Sequence, residues 1–166
     1  MKKTKKIAIG AMFSALCVAV LSLGSVVETL DLSLAILAGL VVMVINAEFA
    51  WRAASCVYLV AGLLALLLPA KTPALFFLAF FGWYPVAQKK IQLLSPVWAR
   101  LLKEGLFNIF VVLFLAVSAF VTGTKEAFWV YAVLFVLSNV VFVIYDILLD
   151  RILLFYILKI RGRLGF

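Results

Sequence analysis

The chain has 166 residues, of which 68% are hydrophobic and 13% charged, and it carries a formal net charge of +8. No soluble domain of this size hides so much apolar surface in one core, and basic residues that flank hydrophobic runs point to anionic lipid headgroups rather than to nucleic acid. Histidine is absent, which removes imidazole bases, Ser-His-Asp triads, His-ligated haem and His-based metal sites.

Charged residues bound uncharged runs at 7–27, 32–47, 53–70, 72–88, 105–124 and 127–145. A helix rises about 1.5 Å per residue, so roughly 20 residues cross a hydrocarbon core, with about 17 as the usual lower limit. The sequence therefore predicts an all-α polytopic membrane protein. One integral-membrane domain over 1–166 would hold a bundle of six transmembrane helices at about 7–27, 30–47, 53–70, 72–88, 105–124 and 127–150, with an interfacial segment at 89–104 and a cytoplasmic tail at 151–166.

The first span follows Lys2, Lys3, Lys5 and Lys6 and imitates a signal peptide up to Ser22-Leu23-Gly24. The apolar run continues towards Val27 and the small-residue cleavage pattern is poor, so the segment is expected to remain. Within AMFSALCVA, Ala11, Ala15 and Ala19 recur every fourth residue, with Ala8 and Ser14 close by. Small side chains at that spacing form a shallow groove that lets another helix approach closely, either within the chain or from a partner. Cys17 and Cys56 lie in predicted spans far apart in sequence, and neither a disulfide framework nor a Cys-x-x-Cys redox pair is indicated.

A short outer loop with Glu28 and Asp31 precedes the second span, which ends at Asn46 and Glu48. Glu48 and Arg52 would share a face if the helix continued through the inner turn. Pro69 and Pro73 bracket the next outer turn, ending one helix and starting another. The fourth span carries Phe80-Phe81-Gly82-Trp83-Tyr84-Pro85, and Pro85 should free the Phe81 carbonyl and kink the helix near its inner end. Spans three and four are short enough to form a re-entrant hairpin instead.

Segment 89–104 mixes apolar and charged residues, which suits the cytoplasmic interface with Trp98 as an anchor. Asn108 and Gln88, with Asn46 and Tyr84, offer an inner polar cluster or helix-joining hydrogen bonds. The last apolar stretch runs on past the bilayer, so the helix either projects into the cytoplasm or bends along the surface. Asn139, Asp146 and Asp150 are spaced seven and four apart and share one stripe, which must face protein. Asp146 and Asp150 form a cytoplasmic polar stripe that either meets a ligand or partner or pairs with a nearby Lys or Arg. Trp129 and Tyr131 stand at the outer end as belt residues or ligand-stacking residues.

With the amino terminus cytoplasmic, thirteen of the fifteen Lys and Arg residues lie inside and only Lys71 and Lys125 lie opposite. That asymmetry obeys the positive-inside rule and places both termini in the cytoplasm, in a multi-pass protein of the cell membrane. No glycine-rich phosphate loop occurs, and Asp146 with Asp150 is too small an acidic cluster to hold Mg²⁺ for a lipid-phosphate transferase. The chain is not expected to be an enzyme: no catalytic residue, metal site or cofactor is assigned.

Six short helices, a basic start, both ends inside and the Ala-x-x-x-Ala motif at Ala11 and Ala15, extended by Ala19, resemble over nearly the whole length the substrate-binding S components of bacterial energy-coupling factor importers. The resemblance implies that the alanine motif packs against a transmembrane coupling subunit driven by two cytoplasmic ATPases. It also implies that a small micronutrient is captured in the outer half, where Asn139, Trp129 and Tyr131 are the candidate substrate-binding residues. The sequence departs from the family at that site: the first outer loop is short, and few polar side chains face outwards beyond Asn139. A non-transport envelope scaffold, similar in architecture to six-helix rod-shape proteins, is the alternative, acting through 89–104, the Asp146 and Asp150 stripe and the basic tail.

Overall fold

The computed structural model describes residues 3–49, 51–69, 71–122 and 128–160, and among these every regular element is helical. In chain order they are α1 (Lys3–Ser22), α2 (Asp31–Phe49), α3 (Trp51–Leu67), α4 (Lys71–Phe76), α5 (Tyr84–Ile91), α6 (Pro96–Thr122) and α7 (Phe128–Phe155). A π-helical turn, Phe77–Phe81, follows α4, so α4 and α5 are halves of one broken rod, and a second one, Tyr156–Ile160, extends α7. The expected all-α class and the six helical rods are present. Two stretches, Asp31–Phe49 and Trp129–Lys159, are long and apolar enough to cross a membrane. Lys125 and its outer loop, and the tail beyond residue 160, lie outside the described residues.

The chain divides into two compact units, Met1–Lys89 with Leu149–Phe166, and Lys90–Leu148. In the first, α1, α2, α3 and α4 pack on one another. Their buried faces carry many small residues, Ser14 and Cys17 on α1, Ala35, Ala38 and Gly39 on α2, and Ala54, Ala61, Gly62 and Ala65 on α3, beside larger ones such as Leu21, Leu34, Met43 and Ile45. Such faces let backbones come close, which multiplies van der Waals contacts that need no water to drive them. Space is tight where glycines stand. A Cβ on Gly24 would lie 2.6 Å from Pro73 Cγ, and one on Gly62 would overlap Leu78.

The break in the fourth rod lies one turn upstream of where Pro85 alone would put it. Gly82 donates its N–H to the Phe77 carbonyl at 2.7 Å, an i to i−5 bond that inserts one extra residue into the helix. The cause is tertiary: the Tyr58 ring occupies the space beside Gly82, where a Cβ would meet Tyr58 Cδ2 at 2.5 Å, and the Tyr58 hydroxyl donates to the Leu78 carbonyl at 2.6 Å. Pro85 falls in the first turn of α5, where its missing N–H costs nothing.

Nor does the extension of the last helix stand away from the protein. Leu149 and Tyr156, two turns apart on one face of the extended helix, are buried, and residues 149–160 belong to the first unit. Two side-chain hydrogen bonds hold the segment there, Gln88 to Asp150 and Tyr156 to Glu48.

In the second unit α6 begins well before the expected span. Pro96 occupies its first position and Ser95 accepts from the Ala99 N–H at 2.9 Å, so the helix starts at a Ser-Pro signal and nothing interrupts it before Thr122. The segment expected at the interface, 89–104, thus consists of the end of α5, a tight turn and the first turns of α6. Ala99, Lys103, Phe107 and Val111, every fourth residue, form the buried edge of α6. Phe107 stacks on Phe142 of α7 with centroids 4.3 Å apart and planes 8° from parallel.

Candidate functional site

Three arrangements carry the residues singled out by the sequence. The first is the outward side of α1. Ser14, Cys17 and Leu21 turn inwards, the Cys17 thiol reaching the Ala38 carbonyl at 3.7 Å, and this fixes the helix rotation. Ala8, Ala11, Ala15 and Ala19 are then left exposed, beside Met12 and Leu16. The small-residue groove is therefore not consumed by packing inside the described chain.

The second is a buried polar set in the first unit. The Asn46 amide donates to the Pro85 carbonyl at 3.1 Å, Gln88 donates to Asp150 at 3.0 Å, and the Tyr156 hydroxyl donates to Glu48 at 3.3 Å. Asn46 and Gln88 are almost fully buried, as is Tyr84, which stacks on Phe80 at 4.9 Å. Each bond joins segments far apart in sequence, so the set ties α2, α5 and the end of α7 together. Arg52 lies over the Trp51 ring, 5.6 Å from its centroid, at the start of α3.

The third is the acidic stripe of α7, which the fold splits. Asp146 belongs to the second unit and receives the Lys103 ammonium on both oxygens at 2.9 Å, with the two side chains 11% and 24% exposed for Lys103 and Asp146 respectively. Asp150 belongs to the first and is held by Gln88. Sequence spacing puts the two carboxylates on one face, and their partners give them separate structural duties. Lys103 as the specific partner of Asp146 was not singled out; its position among apolar residues of segment 89–104 was the available signal.

The residues expected to hold a ligand sit differently. Asn139 donates its amide to the Phe135 carbonyl one turn back in its own helix, at 2.9 Å. The groove at Asn139 is lined by Phe135, Val136, Val140, Val143 and Ile144, all from α7, so it is an apolar furrow along one helix. Trp129 is 77% exposed and Tyr131 half-buried, and both stand on the first turn of α7, two turns or more from Asn139. Asn108 on α6 keeps its amide oxygen buried without a hydrogen bond. Among the described residues no group of three or more Cys, Asp or Glu side chains is placed to hold a metal ion.

The described residues define an all-helical protein, with two helices among them long and apolar enough to cross a membrane. Comparison with family models, curated proteins and solved structures gives no match.

Proposed function

We propose that this chain is the membrane-embedded substrate-binding component of an energy-coupling-factor-type importer for a small micronutrient, working with a coupling subunit and its ATPases. The observation that carries the reading is the outward small-residue face of α1. Ala11, Ala15 and Ala19 are exposed while the opposite side of the helix packs into the first unit, which leaves a smooth surface for a partner helix. Placement in a bilayer, as a six-span protein with both ends in the cytoplasm, is supported by the one-sided Lys and Arg and by large exposed side chains such as Leu67 at 83%, Leu63 at 58% and Ile109 at 68%.

The test has two parts. Cysteines replacing Lys71 and Lys125 should react with an impermeant thiol reagent on intact cells, and those replacing Lys90 and Arg163 should be protected; the opposite pattern reverses the orientation. Purification from cells expressing a coupling module should recover the whole complex with the native chain and lose the module with Ala15→Leu. A retained metabolite identified by native mass spectrometry would name the substrate class.

One observation favours the second reading, a non-transport envelope scaffold. The groove at Asn139 has walls from a single helix, which does not enclose a small molecule as transported nutrients require. Copurification with envelope-assembly proteins, and unchanged nutrient uptake after deletion, would establish the scaffold.

A further inference from the structure

The turn after α5 and the first turns of α6 present an unusual surface. Leu93 is 86% exposed, Val97 and Trp98 68% each, and Leu94 is also exposed. Backbone hydrogen bonds close the turn: Leu93 donates to the Lys90 carbonyl, Leu94 to the Ile91 carbonyl and Ala99 to the Ser95 carbonyl. The apolar side chains stand out from this hydrogen-bonded backbone. Two cations, Lys90 and Arg100, are exposed within the same stretch. Lys103 is buried against Asp146 and is no part of this surface; Lys90 keeps an interaction within the protein besides its exposure, and among the described residues Arg100 makes no ion pair.

The covering partner must satisfy both the charge and what lies beyond it. Trp98 and Leu101 begin an exposed apolar side of α6 that continues through Ile109 and Val112, with Glu104 exposed at its border. Whatever covers Trp98 is therefore continuous with whatever covers that wall. A phospholipid supplies both halves in one molecule, an acyl chain for the wall and an anionic phosphate for the two cations, and tryptophan is the side chain best suited to the boundary between them.

We propose that Lys90, Leu93, Leu94, Val97, Trp98 and Arg100 form a docking surface selective for anionic phospholipid. The proposal rests on the membrane placement above but not on transport. Trp98 inserts at the headgroup level, and Lys90 and Arg100 draw negatively charged lipid to that spot in preference to zwitterionic lipid.

The full-length protein with Trp98 as its only tryptophan (Trp51→Phe, Trp83→Phe, Trp129→Phe) is reconstituted in phosphatidylcholine vesicles. These contain equal fractions of either acyl-brominated phosphatidylglycerol or acyl-brominated phosphatidylcholine. Fluorescence quenching should be several-fold more effective with the brominated anionic lipid, and the preference should be lost in Lys90→Gln/Arg100→Gln. A Lys90→Arg/Arg100→Lys variant should keep it, and on the unsubstituted pair high salt should collapse it. A companion protein with Trp129 as its only tryptophan should show no lipid preference. Equal quenching of Trp98 by both lipids, or a preference indifferent to charge and salt, would overturn the proposal. Quenching of Trp129 by both lipids but of Trp98 by neither would mean that protein covers the surface, which also overturns it. Absence of quenching at both reporters would remove the membrane placement itself.

Discussion

The two units solve the same problem, holding apolar helices together, with a different balance of means. In the first, small residues bring backbones close among larger ones, and a Cβ at Gly24 or Gly82 would run into Pro73 or the Tyr58 ring. In the second, α6 and α7 meet through large or charged side chains, the Phe107–Phe142 stack and the Lys103–Asp146 pair. Close packing spreads stabilisation over many weak contacts, so it fails when atoms are added. Contact through a few long side chains fails when atoms or charges are removed.

The largest effect is expected in the second unit. Asp146→Ala strands a buried ammonium, and the loss should be about 2–4 kcal/mol, somewhat below the usual range for broken buried pairs because Asp146 keeps some exposure. Lys103→Met combined with Asp146→Leu should restore most of it, since matched apolar side chains replace the pair without leaving a charge. Thermal unfolding in detergent reads both. If the double substitution is as damaging as the single one, the pair does more than hold the helices.

In the first unit, Gly82→Ala should cost about 1–3 kcal/mol, because the added methyl meets a ring and the Phe77 carbonyl rather than a flexible chain end. Gly105 on α6 gives the contrast within the same experiment. Nothing lies within 4 Å of its Cβ position, so Gly105→Ala should raise stability by up to about 1 kcal/mol through helix propensity alone. Equal effects at the two glycines would erase the distinction between the units.

Ala15→Leu sharpens the comparison from outside. Its site is exposed, so the isolated chain should unfold as the native one does while association with a coupling subunit weakens by about 1–3 kcal/mol. The smallest effect on the fold is expected at Asn139, whose amide bonds to its own helix: Asn139→Ala should change stability by less than about 0.5 kcal/mol. A large loss of metabolite binding in that variant, without loss of stability, would assign Asn139 to a ligand.

What the sequence made legible was local. Apolar runs bounded by charges located the helices: the expected spans 30–47 and 53–70 correspond to Asp31–Phe49 and Trp51–Leu67. Prolines at 69 and 73 marked where the chain turns, and Pro85 marked the rod that breaks but not the place of the break. The start of α6 was missed because an apolar segment interrupted by five charges suits either an interface or a helix, and the Ser95-Pro96 start signal decides for the helix.

The sequence by itself determined that this chain is helical, where its rods lie, and which residues could share a face, because hydrogen bonding within a helix and the period of its side chains involve only near neighbours. Tertiary structure alone decided the partners. Spacing could not tell that Tyr58 would widen the fourth rod into a π-turn, that Lys103 rather than another cation would meet Asp146, or that Asp150 and Tyr156 would fasten the last helix to Gln88 and Glu48. Nor could it tell that α1 would turn its alanines outwards: Ser14, Cys17 and Leu21 on one side and Ala11, Ala15 and Ala19 on another are both faces that pack closely, and only the neighbouring helices chose between them.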